Sequence, residues 1–423
     1  YSLLNQRYGL SVTKGKDGRL YIADSLSNKK AVASIRRKTH LRTHPNNKAL
    51  IVDTVEKGSQ VTLYTKEGNY YRARSENGII GYLPASKIEN IQEIPEQEME
   101  VIEPVPQLNP LNDKVKLVWD QLGSKTNVNW NEAKYAAING ANVISPTWFE
   151  FQDENGVLTD KATREYVLGA QSKGLRVWAL MSHNFDKPEL TKQILSSTRK
   201  RQYVISQLAE KSQQYGFDGI NIDIENVQAE FSDEWVQFMR ELYPQMRELG
   251  ITVSVDVYVP SNWSTHYERG KISEVVDYFI VMAYDEHWSG SENAGSVSSL
   301  SWVEEGIINT LQEVPKEKLV LGIPFYTRIW EESEGQLRSS AYSMKVVEDI
   351  INRWGIEPIY DEHTGQHYAE REKNNVLYKV WIENEESMKK RVDLINQYDL
   401  QGYACWKLGL ETEGIWHQLG QIQ

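Results

Sequence analysis

Three polar side chains alternate with three isoleucines in residues 216–226, which read GFDGINIDIEN. In an extended strand successive side chains point to opposite faces, so Asn221, Asp223 and Glu225 share one face. Carboxyl groups two residues apart on a strand are separated by about 6 to 7 Å, close enough for each to shift the pKa of the other. The plainer interpretation is a strand end whose acids are solvated or paired with arginine. A purely structural strand has no use for this arrangement, so the stretch is the first candidate for carboxyl-group chemistry.

Eight apolar, strand-like runs would position this stretch, and from about residue 112 they alternate with helical segments. This alternation predicts an α/β fold, a (β/α)₈ TIM barrel, with a doubly wound sheet as the alternative. The runs are Lys114–Trp119, Val143–Thr147, Arg176–Met181, Ile220–Ile224, Thr252–Tyr258, Tyr278–Ala283, Leu319–Phe325 and Gly402–Trp406. The long segment between the last two runs predicts a small α+β insertion at about 332–400.

The carboxyl ends of the strands are where active sites form in such barrels. Polar or aromatic residues recur there in this chain. They are Tyr284 and Asp285 after the sixth run, Tyr326 after the seventh and Trp406 in the eighth.

The stretch from Asp218 to Glu225 resembles the DGxxxDxE signature of glycoside hydrolase family 18, the chitinase-like hydrolases. The sixth, seventh and eighth runs resemble the corresponding strands of the same family. The resemblance implies a retaining glycosidase that cleaves β-1,4 bonds after N-acetylglucosamine by substrate-assisted catalysis. The alternatives are a chitinase that acts on chitin oligomers and a non-catalytic carbohydrate-binding protein.

The family mechanism implies a role for several residues of this chain. Glu225 would be the general acid, and Asp223 would hold the acetamido N–H of the substrate. Tyr284 would donate a hydrogen bond to the acetamido oxygen, and Asp218 would support the catalytic set. The residues expected to bind substrate are Trp406, as the apolar floor, with Asn221, Met282, Asp285, Tyr326 and Trp148.

Two departures from the chitinase subgroup affect the expected substrate. That subgroup commonly has Asp where this chain has Asn221, so a relay of three acids lacks one member here. It also carries a Ser-x-Gly-Gly stretch on the third strand, whereas this chain reads LMSHN at 180–184. The spore-cortex and cell-wall N-acetylglucosaminidases of the family resemble the chain in both respects. We therefore expect bacterial peptidoglycan or spore cortex as the substrate.

The first part of the chain predicts separate β modules and a linker. Residues 1–33 resemble the remnant of an upstream β module, 34–92 resemble a bacterial SH3-like domain, and the Pro- and Glu-rich 93–111 form a linker before the barrel at 112–423. Residues 1–92 hold 16 Lys and Arg against 7 Asp and Glu, a charge of +9, whereas 93–423 carry −21. We expect the SH3-like domain to attach the enzyme to the cell wall.

Composition excludes several other classes of protein. The acidic barrel segment argues against a nucleic-acid substrate, no apolar run approaches the ~20 residues of a membrane span, and the lone Cys405 excludes an intrachain disulfide framework. The chain begins at Tyr1, as a fragment or a mature form would. We expect a monomer that is extracellular or associated with the cell wall or spore.

Metal catalysis is the competing kind of enzyme chemistry. His363 and His367 lie four residues apart, which on a helix would place both on one face. The intervening Thr-Gly-Gln reads as a hairpin turn instead. We predict no metal and no cofactor, and we expect His183 and His287 to line the substrate groove.

Overall fold

A computed structural model describes residues 10–14, 20–24, 31–93, 111, 113–126 and 128–423. The chain divides into two compact units, Tyr1–Pro106 and Gln107–Gln423. Most of the predicted linker, 94–110, lies outside the described residues. No helix in the described ranges combines the length and the apolar character that crossing a membrane requires.

The described residues of the first unit form β-strands and one 3₁₀ turn. Strands β1 (Leu10–Lys14) and β2 (Leu20–Asp24) pair antiparallel. A seven-stranded sheet follows, in the order β5-β4-β8-β7-β6-β3-β9. Its strands are β3 (Ala31–Ile35), β4 (Thr39–Arg42), β5 (Ile51–Val55), β6 (Gln60–Glu67), β7 (Tyr70–Arg74), β8 (Ile80–Pro84) and β9 (Ile88–Glu93). A 3₁₀ turn, Ala85–Lys87, joins the last two strands.

The core of this sheet comes from side chains that alternate along the strands. Ala33, Ile35, Val61 and Leu63 are buried while their neighbours are more exposed, as expected for a sheet with one face packed inward. Strand β3 begins at Ala31, so it crosses the predicted boundary between residues 33 and 34. Residues 31–93 are all-β, and their assignment as an SH3-like domain remains a prediction.

The second unit contains a closed barrel of eight parallel strands, which confirms the predicted TIM barrel. The strands are β10 (Val115–Asp120), β11 (Val143–Glu150), β12 (Arg176–Ser182), β13 (Gly219–Asp223), β14 (Thr252–Tyr258), β15 (Tyr278–Met282), β16 (Leu319–Pro324) and, last in the chain, β22 (Gly402–Trp406). Every predicted run coincides with one of them to within a few residues at each end.

Ten α-helices of the described residues connect or flank these strands. They are α1 (Glu132–Tyr135), α2 (Arg164–Ser172), α3 (Glu189–Leu195), α4 (Thr198–Tyr215), α5 (Ser232–Glu248), α6 (Arg269–Ser273), α7 (Leu300–Thr310), α8 (Met344–Trp354), α9 (Glu385–Gln397) and α10 (Ile415–Leu419). Two 3₁₀ turns, Ala229–Phe231 and Thr265–Tyr267, lie on either side of α5 and β14.

Strand β13 shows how the barrel sorts its side chains. Ile220, Ile222 and Ile224 are fully buried and belong to the large core between the strands and the helices. Asn221 and Asp223 alternate with them and therefore face the barrel interior. A smaller core fills that interior, built from apolar side chains of several strands, including Trp119 and Trp178.

A five-stranded antiparallel sheet separates β16 from β22 in sequence, where the α+β insertion is predicted. Its order is β18-β17-β21-β20-β19, and helix α8 connects β18 to β19. The strands are β17 (Tyr326–Ser333), β18 (Gln336–Ser343), β19 (Ile359–Asp361), β20 (Gln366–Lys373) and β21 (Val376–Ile382).

This sheet starts at Tyr326, earlier than the predicted residue 332. Only Phe325 separates β17 from β16, so the sequence contains no turn signal that marks the boundary. Residues 362–365 form the turn between β19 and β20, so His363 and His367 do not share a helical face. Among the described residues, no group of three or more His, Cys, Asp or Glu side chains could hold a metal ion.

Candidate active site

A cavity of about 630 Å³ opens at the carboxyl ends of the barrel strands. Strand ends or following loops supply its lining, as in other TIM barrels. The residues that line it include Trp119, Phe149, Asp223, Glu225, Asp256, Met282, Tyr284, Asp285 and Trp406. The structure thus brings six of the ten predicted site residues to a single cavity.

Glu225 lies just beyond β13, and its position is fixed by three contacts. The Tyr258 hydroxyl donates a hydrogen bond of 2.6 Å to Glu225 Oε2. The backbone N–H of Glu225 donates to His183 Nδ1 at 3.3 Å, and the Tyr267 hydroxyl donates to its backbone carbonyl. Burial lowers the pKa of His183 to about 4, which leaves its ring neutral and able to accept this hydrogen bond at neutral pH.

The surroundings of the Glu225 carboxyl raise its pKa above the ordinary value. Burial raises the pKa of Glu225, the hydrogen bond from Tyr258 lowers it, and nearby Asp285 raises it further. A raised pKa lets a carboxylic acid hold its proton to a higher pH and donate it to a leaving group. This is the property required of a general acid.

Asp223 is a buried acid whose hydrogen bonding is incomplete. Only 8% of its surface is exposed, and its Oδ1 atom has no hydrogen-bond partner. Burial raises the pKa of Asp223 well above its ordinary value, and the neighbouring Glu225 and Asp256 raise it further. Buried polar atoms without partners are uncommon, and they can mark a place where a ligand completes the bonding.

Asn221 lies beneath the cavity and is absent from its lining. Its Oδ1 accepts hydrogen bonds from Trp119 Nε1 at 2.7 Å and Ser145 Oγ at 3.3 Å. Its Nδ2 donates to Ser254 Oγ at 3.0 Å and Asp256 Oδ1 at 2.8 Å. The side chain is therefore committed to the barrel interior, which argues against the predicted contact with substrate.

Asp256 and Tyr258 line the site, although the sequence analysis did not identify them. They alternate with Val253, Val255 and Val257 on β14, so both face the barrel interior. Burial raises the pKa of Asp256 well above its ordinary value, the Asn221 hydrogen bond lowers it, and Glu225 raises it. The available signal was an aspartate inside an otherwise apolar strand.

The end of β15 supplies Met282, Tyr284 and Asp285 to the cavity. The pKa of Tyr284 is raised well above its ordinary value, first by desolvation and then by Asp256 and Glu225, so its hydroxyl remains a hydrogen-bond donor. Tyr326 does not line the cavity. Its hydroxyl donates to Asp285 Oδ1 at 2.5 Å, and its ring lies edge-on to that of Tyr284 at 6.4 Å. Tyr326 therefore positions residues that face the cavity.

Trp406 provides an aromatic surface at the end of β22. Its ring packs edge-on against Trp119, with 5.9 Å between ring centroids, and both rings line the cavity. Aromatic faces in this position are suited to contact with the apolar face of a sugar ring. The placement is compatible with the predicted floor of the site.

Asp218 and Trp148 are predicted site residues that the structure places away from the cavity. Asp218 precedes β13 at the opposite end of the barrel, where its Oδ2 accepts hydrogen bonds from the Val177 N–H at 2.8 Å and from Gln171 Nε2 at 3.1 Å. Trp148 is fully buried and packs against Tyr166 in the outer core. Its neighbour Phe149 lines the cavity and also packs against Phe217 of that core, where the register of β11 with β12 shifts between Thr147 and Phe149.

A second cavity of about 680 Å³ shares Glu225, Met282, Tyr284 and Asp285 with the first. Its other lining includes Tyr258 and the half-exposed indoles of Trp263 and Trp288, of which 62% and 56% of the surface is accessible. The cleft therefore continues on both sides of Glu225. His287 lines neither cavity, and its Nδ1 lies 2.9 Å from the Ser296 carbonyl oxygen.

Comparison with known families and proteins gives consistent results. The model of the family described as glycosyl hydrolases family 18 matches residues 188–411. The chain is 26% identical over 290 residues to the uncharacterized glycosylase YvbX of Bacillus subtilis, covering 65% of this chain and 83% of that protein. It is 23% identical over 309 residues to the cortical fragment-lytic enzyme of Bacillus anthracis, covering 68% of this chain and 70% of that enzyme.

Solved structures show the same fold. The spore cortex-lytic enzyme SleL of Bacillus megaterium superposes with a TM-score of 0.64 at 18% identity, covering 74% of this chain and 75% of SleL. A chitinase from Chromobacterium violaceum superposes with a TM-score of 0.63 at 21% identity, covering 73% of this chain and 98% of the chitinase. At these identities the similarity establishes the architecture.

Proposed function

The chain belongs to glycosyl hydrolases family 18 and is a glycosidase, and we propose that it cleaves the β-1,4 bond after N-acetylglucosamine in spore cortex or cell-wall peptidoglycan. The proposed reaction retains the anomeric configuration. In this family the acetamido group of the substrate attacks the anomeric carbon, so no second carboxylate is needed as a nucleophile.

The residues around the cavity have distinct roles in this reaction. Glu225 donates its proton to the glycosidic oxygen and afterwards accepts one from the attacking water. Asp223 accepts a hydrogen bond from the acetamido N–H and offsets the positive charge of the cyclic intermediate. Tyr284 donates to the acetamido oxygen, and Trp406 supports the sugar ring from below.

The incomplete hydrogen bonding of Asp223 is the observation that carries this proposal. Its Oδ1 is buried without a donor, two positions along the chain from Glu225, whose pKa is raised by burial. A donor supplied by the substrate would satisfy this oxygen. An acetamido N–H can only donate, so it matches an oxygen that lacks a donor. A sugar hydroxyl can either donate or accept, so it matches this oxygen less specifically.

The position of Glu225 within the cleft supports cleavage inside a glycan chain. Cavities extend on both sides of this residue, and both also contain Met282, Tyr284 and Asp285. A polymer can therefore continue past the bond that is cut. The exposed rings of Trp263 and Trp288 offer stacking surfaces along the second cavity.

Two differences from chitinases support peptidoglycan as the substrate. The chain has Asn221 where chitinases commonly carry Asp, and His183 stands in the third-strand segment where chitinases carry a glycine pair. A relative of this chain is named a cortical fragment-lytic enzyme. We extend that substrate to this protein on the strength of these differences.

Mass spectrometry of the products released from purified cortex peptidoglycan tests the proposal. We expect fragments with N-acetylglucosamine at the reducing end, initially as the β-anomer in a parallel NMR measurement. Reducing-end muramic acid or an α-anomer would contradict the proposed bond or mechanism. Turnover of chitin oligomers alone would identify a chitinase, and tight glycan binding without turnover would identify a carbohydrate-binding protein.

The N-terminal unit has a separate proposed role. The enzyme would act as a monomer. Residues 34–92 would hold it on the anionic wall or spore through their positive charge. This attraction is screened beyond about 8 Å at physiological salt. A truncated chain beginning at Leu111 should keep its activity on soluble fragments and lose most of it on intact walls. Equal activity of both forms on walls would contradict this role.

A further inference from the structure

Two buried acids occupy adjacent positions on neighbouring barrel strands. In the parallel pairing of β13 with β14, Asn221 is the partner of Ser254 and Ile222 is the partner of Val255. Asp223 and Asp256 follow one residue further along the two strands, and both face the barrel interior. Since paired strands lie about 4.8 Å apart, the two carboxyl groups lie side by side at the bottom of the cavity.

The surroundings of this pair do not neutralise two negative charges. Asp223 is 8% exposed and Asp256 is 2% exposed. The titratable groups that face them are Glu225 beyond β13, Tyr258 on β14, Tyr267 on the following loop and Tyr284 beyond β15. These groups are acids or phenols; the other titratable neighbour is His183 beyond β12, which hydrogen-bonds the Asp223 backbone and stays neutral because burial lowers its pKa to about 4. None of the ion pairs found in the described ranges includes Asp223 or Asp256.

We propose that Asp223 and Asp256 share one proton, and that Asp256 is a positioning residue that takes this proton when substrate binds. Two carboxyl groups at adjacent positions on paired strands do not both ionise in a site of low polarity, so the pair carries one negative charge. The sharing of the proton is a property of the free protein. Only the second step, the transfer of the proton to Asp256 when substrate binds, rests on the proposed function.

Hydrogen bonding determines which member holds the proton at rest. Asn221 Nδ2 donates to Asp256 Oδ1 at 2.8 Å, and donation to a carboxylate favours its charged form. Asp223 Oδ1 receives no hydrogen bond, so Asp223 is the protonated member. The hydrogen bond from the Asn221 amide thus keeps the negative charge of the pair on Asp256 in the free protein.

Substrate binding reverses this preference. The acetamido N–H donates to Asp223 and favours its carboxylate, so the O–H bond of Asp223 breaks and an O–H bond forms on Asp256. The charge of the pair stays at −1 throughout. Asp223 is then ionised beside the positive charge that develops on the substrate, and no proton leaves the cavity.

This arrangement explains why the chain can carry Asn221 at the first of the three alternating acidic positions of the chitinase motif. The third carboxyl group comes from β14, and the Asn221 amide connects it to the motif strand through one hydrogen bond. Asp256 is thus the residue that completes the set of three acids.

Infrared titration of the Asp256→Asn variant tests the sharing of the proton without any substrate. An asparagine at 256 keeps the oxygen that accepts from Asn221 and removes only the acid. The signal is the carbonyl band of protonated Asp223. This band is identified by its absence from the spectrum of the Asp223→Asn variant. We expect its titration midpoint to fall by about one pH unit or more in Asp256→Asn, because the neighbouring charge that opposes ionisation is gone. An unchanged midpoint would overturn the proposal.

Ser254→Ala is the matched control, since Ser254 also accepts from Asn221 Nδ2 but carries no charge. It should leave the midpoint in place, and an equal shift there would show a merely structural effect. If Asp256→Asn does not fold, the double variant Asn221→Asp/Asp256→Asn supplies the test. That variant moves the acid to the motif strand, and it should retain the high midpoint of the wild type; a lowered midpoint would overturn the proposal.

Kinetics test the second step. Asp256→Asn should lower kcat by about tenfold or more while KM changes little, because proton transfer is impaired and substrate contacts are kept. The double variant should recover most of kcat. An unchanged kcat in Asp256→Asn would overturn the role in the reaction. A wild-type enzyme inactive on every glycan would overturn the proposed function and leave the infrared result on the acid pair standing.

Discussion

Two fully buried acids of the second unit, Glu383 and Asp223, have opposite surroundings. Glu383 lies between β21 and α9, and its Oε1 accepts from Arg391 Nη2 at 2.7 Å and from Gln366 Nε2 at 2.7 Å. Its Oε2 accepts from Ser387 Oγ at 2.7 Å. Asp223 has an oxygen without any partner and is surrounded by other acids.

The difference distinguishes an acid that supports the fold from one that is available to a ligand. Burial raises the pKa of Glu383, but Arg391, Ser387 and Gln366 all act to lower it. Around Asp223 the neighbouring acids add to the effect of burial. A complete set of partners stabilises a buried charge, whereas an incomplete set is retained in proteins mainly where function requires it.

The largest expected effect comes from the acid that lies beside Asp223 in the cleft. Glu225→Gln should lower hydrolysis by roughly 10²–10⁴, since the amide keeps the shape of the side chain and loses the proton. Thermal unfolding and glycan binding should remain close to wild type. Glu150→Gln, another carboxyl change in the same cavity, should retain most of the activity. A Glu225→Gln variant with more than about a tenth of wild-type activity would contradict the assignment of the general acid.

Removal of one hydroxyl from the same cavity should have the next largest effect. Tyr284→Phe should lower kcat by on the order of 10²–10³, as expected for a donor to a developing negative charge. Tyr326→Phe is the control, because that hydroxyl donates to Asp285 rather than into the cavity. Equal effects of Tyr284→Phe on kcat and KM would indicate that the ring only packs against substrate.

The partnered acid should affect stability rather than turnover. Glu383→Gln leaves Arg391 as a buried charge without its counter-ion, and removal of one member of a buried ion pair costs about 3 to 5 kcal/mol of unfolding free energy. Denaturant titration measures this loss. The activity per folded molecule should stay near that of the wild type, and a stable but inactive variant would place Glu383 in the catalytic mechanism.

Replacement of Asp223, the acid without a full set of partners, should raise the unfolding free energy, whereas replacement of Glu383 should lower it. The folded protein raises the pKa of Asp223 above its value in the unfolded chain, so the folded state holds a proton that the unfolded state has released. The contribution of Asp223 to the unfolding free energy therefore falls as pH rises above about 4. Asp223→Asn removes this dependence, so its unfolding free energy should exceed that of the wild type at neutral pH by about 1 kcal/mol or more and match it below pH 4. A gain that does not change with pH would contradict the raised pKa.

Pattern and spacing were sufficient to predict the barrel and to bring most of the candidate residues together. The eight apolar runs correspond to the eight strands, and alternation correctly placed Asp223 in the interior between outward-facing isoleucines. The same rule could have excluded Trp148, whose position on β11 faces the outer core. Its ring packs against Tyr166 there and lines neither cavity.

Other features depend on residues distant in sequence. Asp256 lies in a run that is typical of any buried strand, and its partner Asn221 lies 35 positions earlier. Tyr258 contacts Glu225 across 33 positions. No local pattern reports such contacts, because they arise only when parallel strands pair in a particular register.

The sequence alone determined which side chains could carry chemistry and which strand faces they share, because side-chain alternation is a local property of an extended backbone. The tertiary structure decided which acids receive hydrogen bonds and which are left without them. That outcome depends on burial and on neighbours from other strands, which set the pKa of each carboxyl group. The motif therefore identified Asp223 and Glu225, whereas only the closed barrel placed Asp256 beside them.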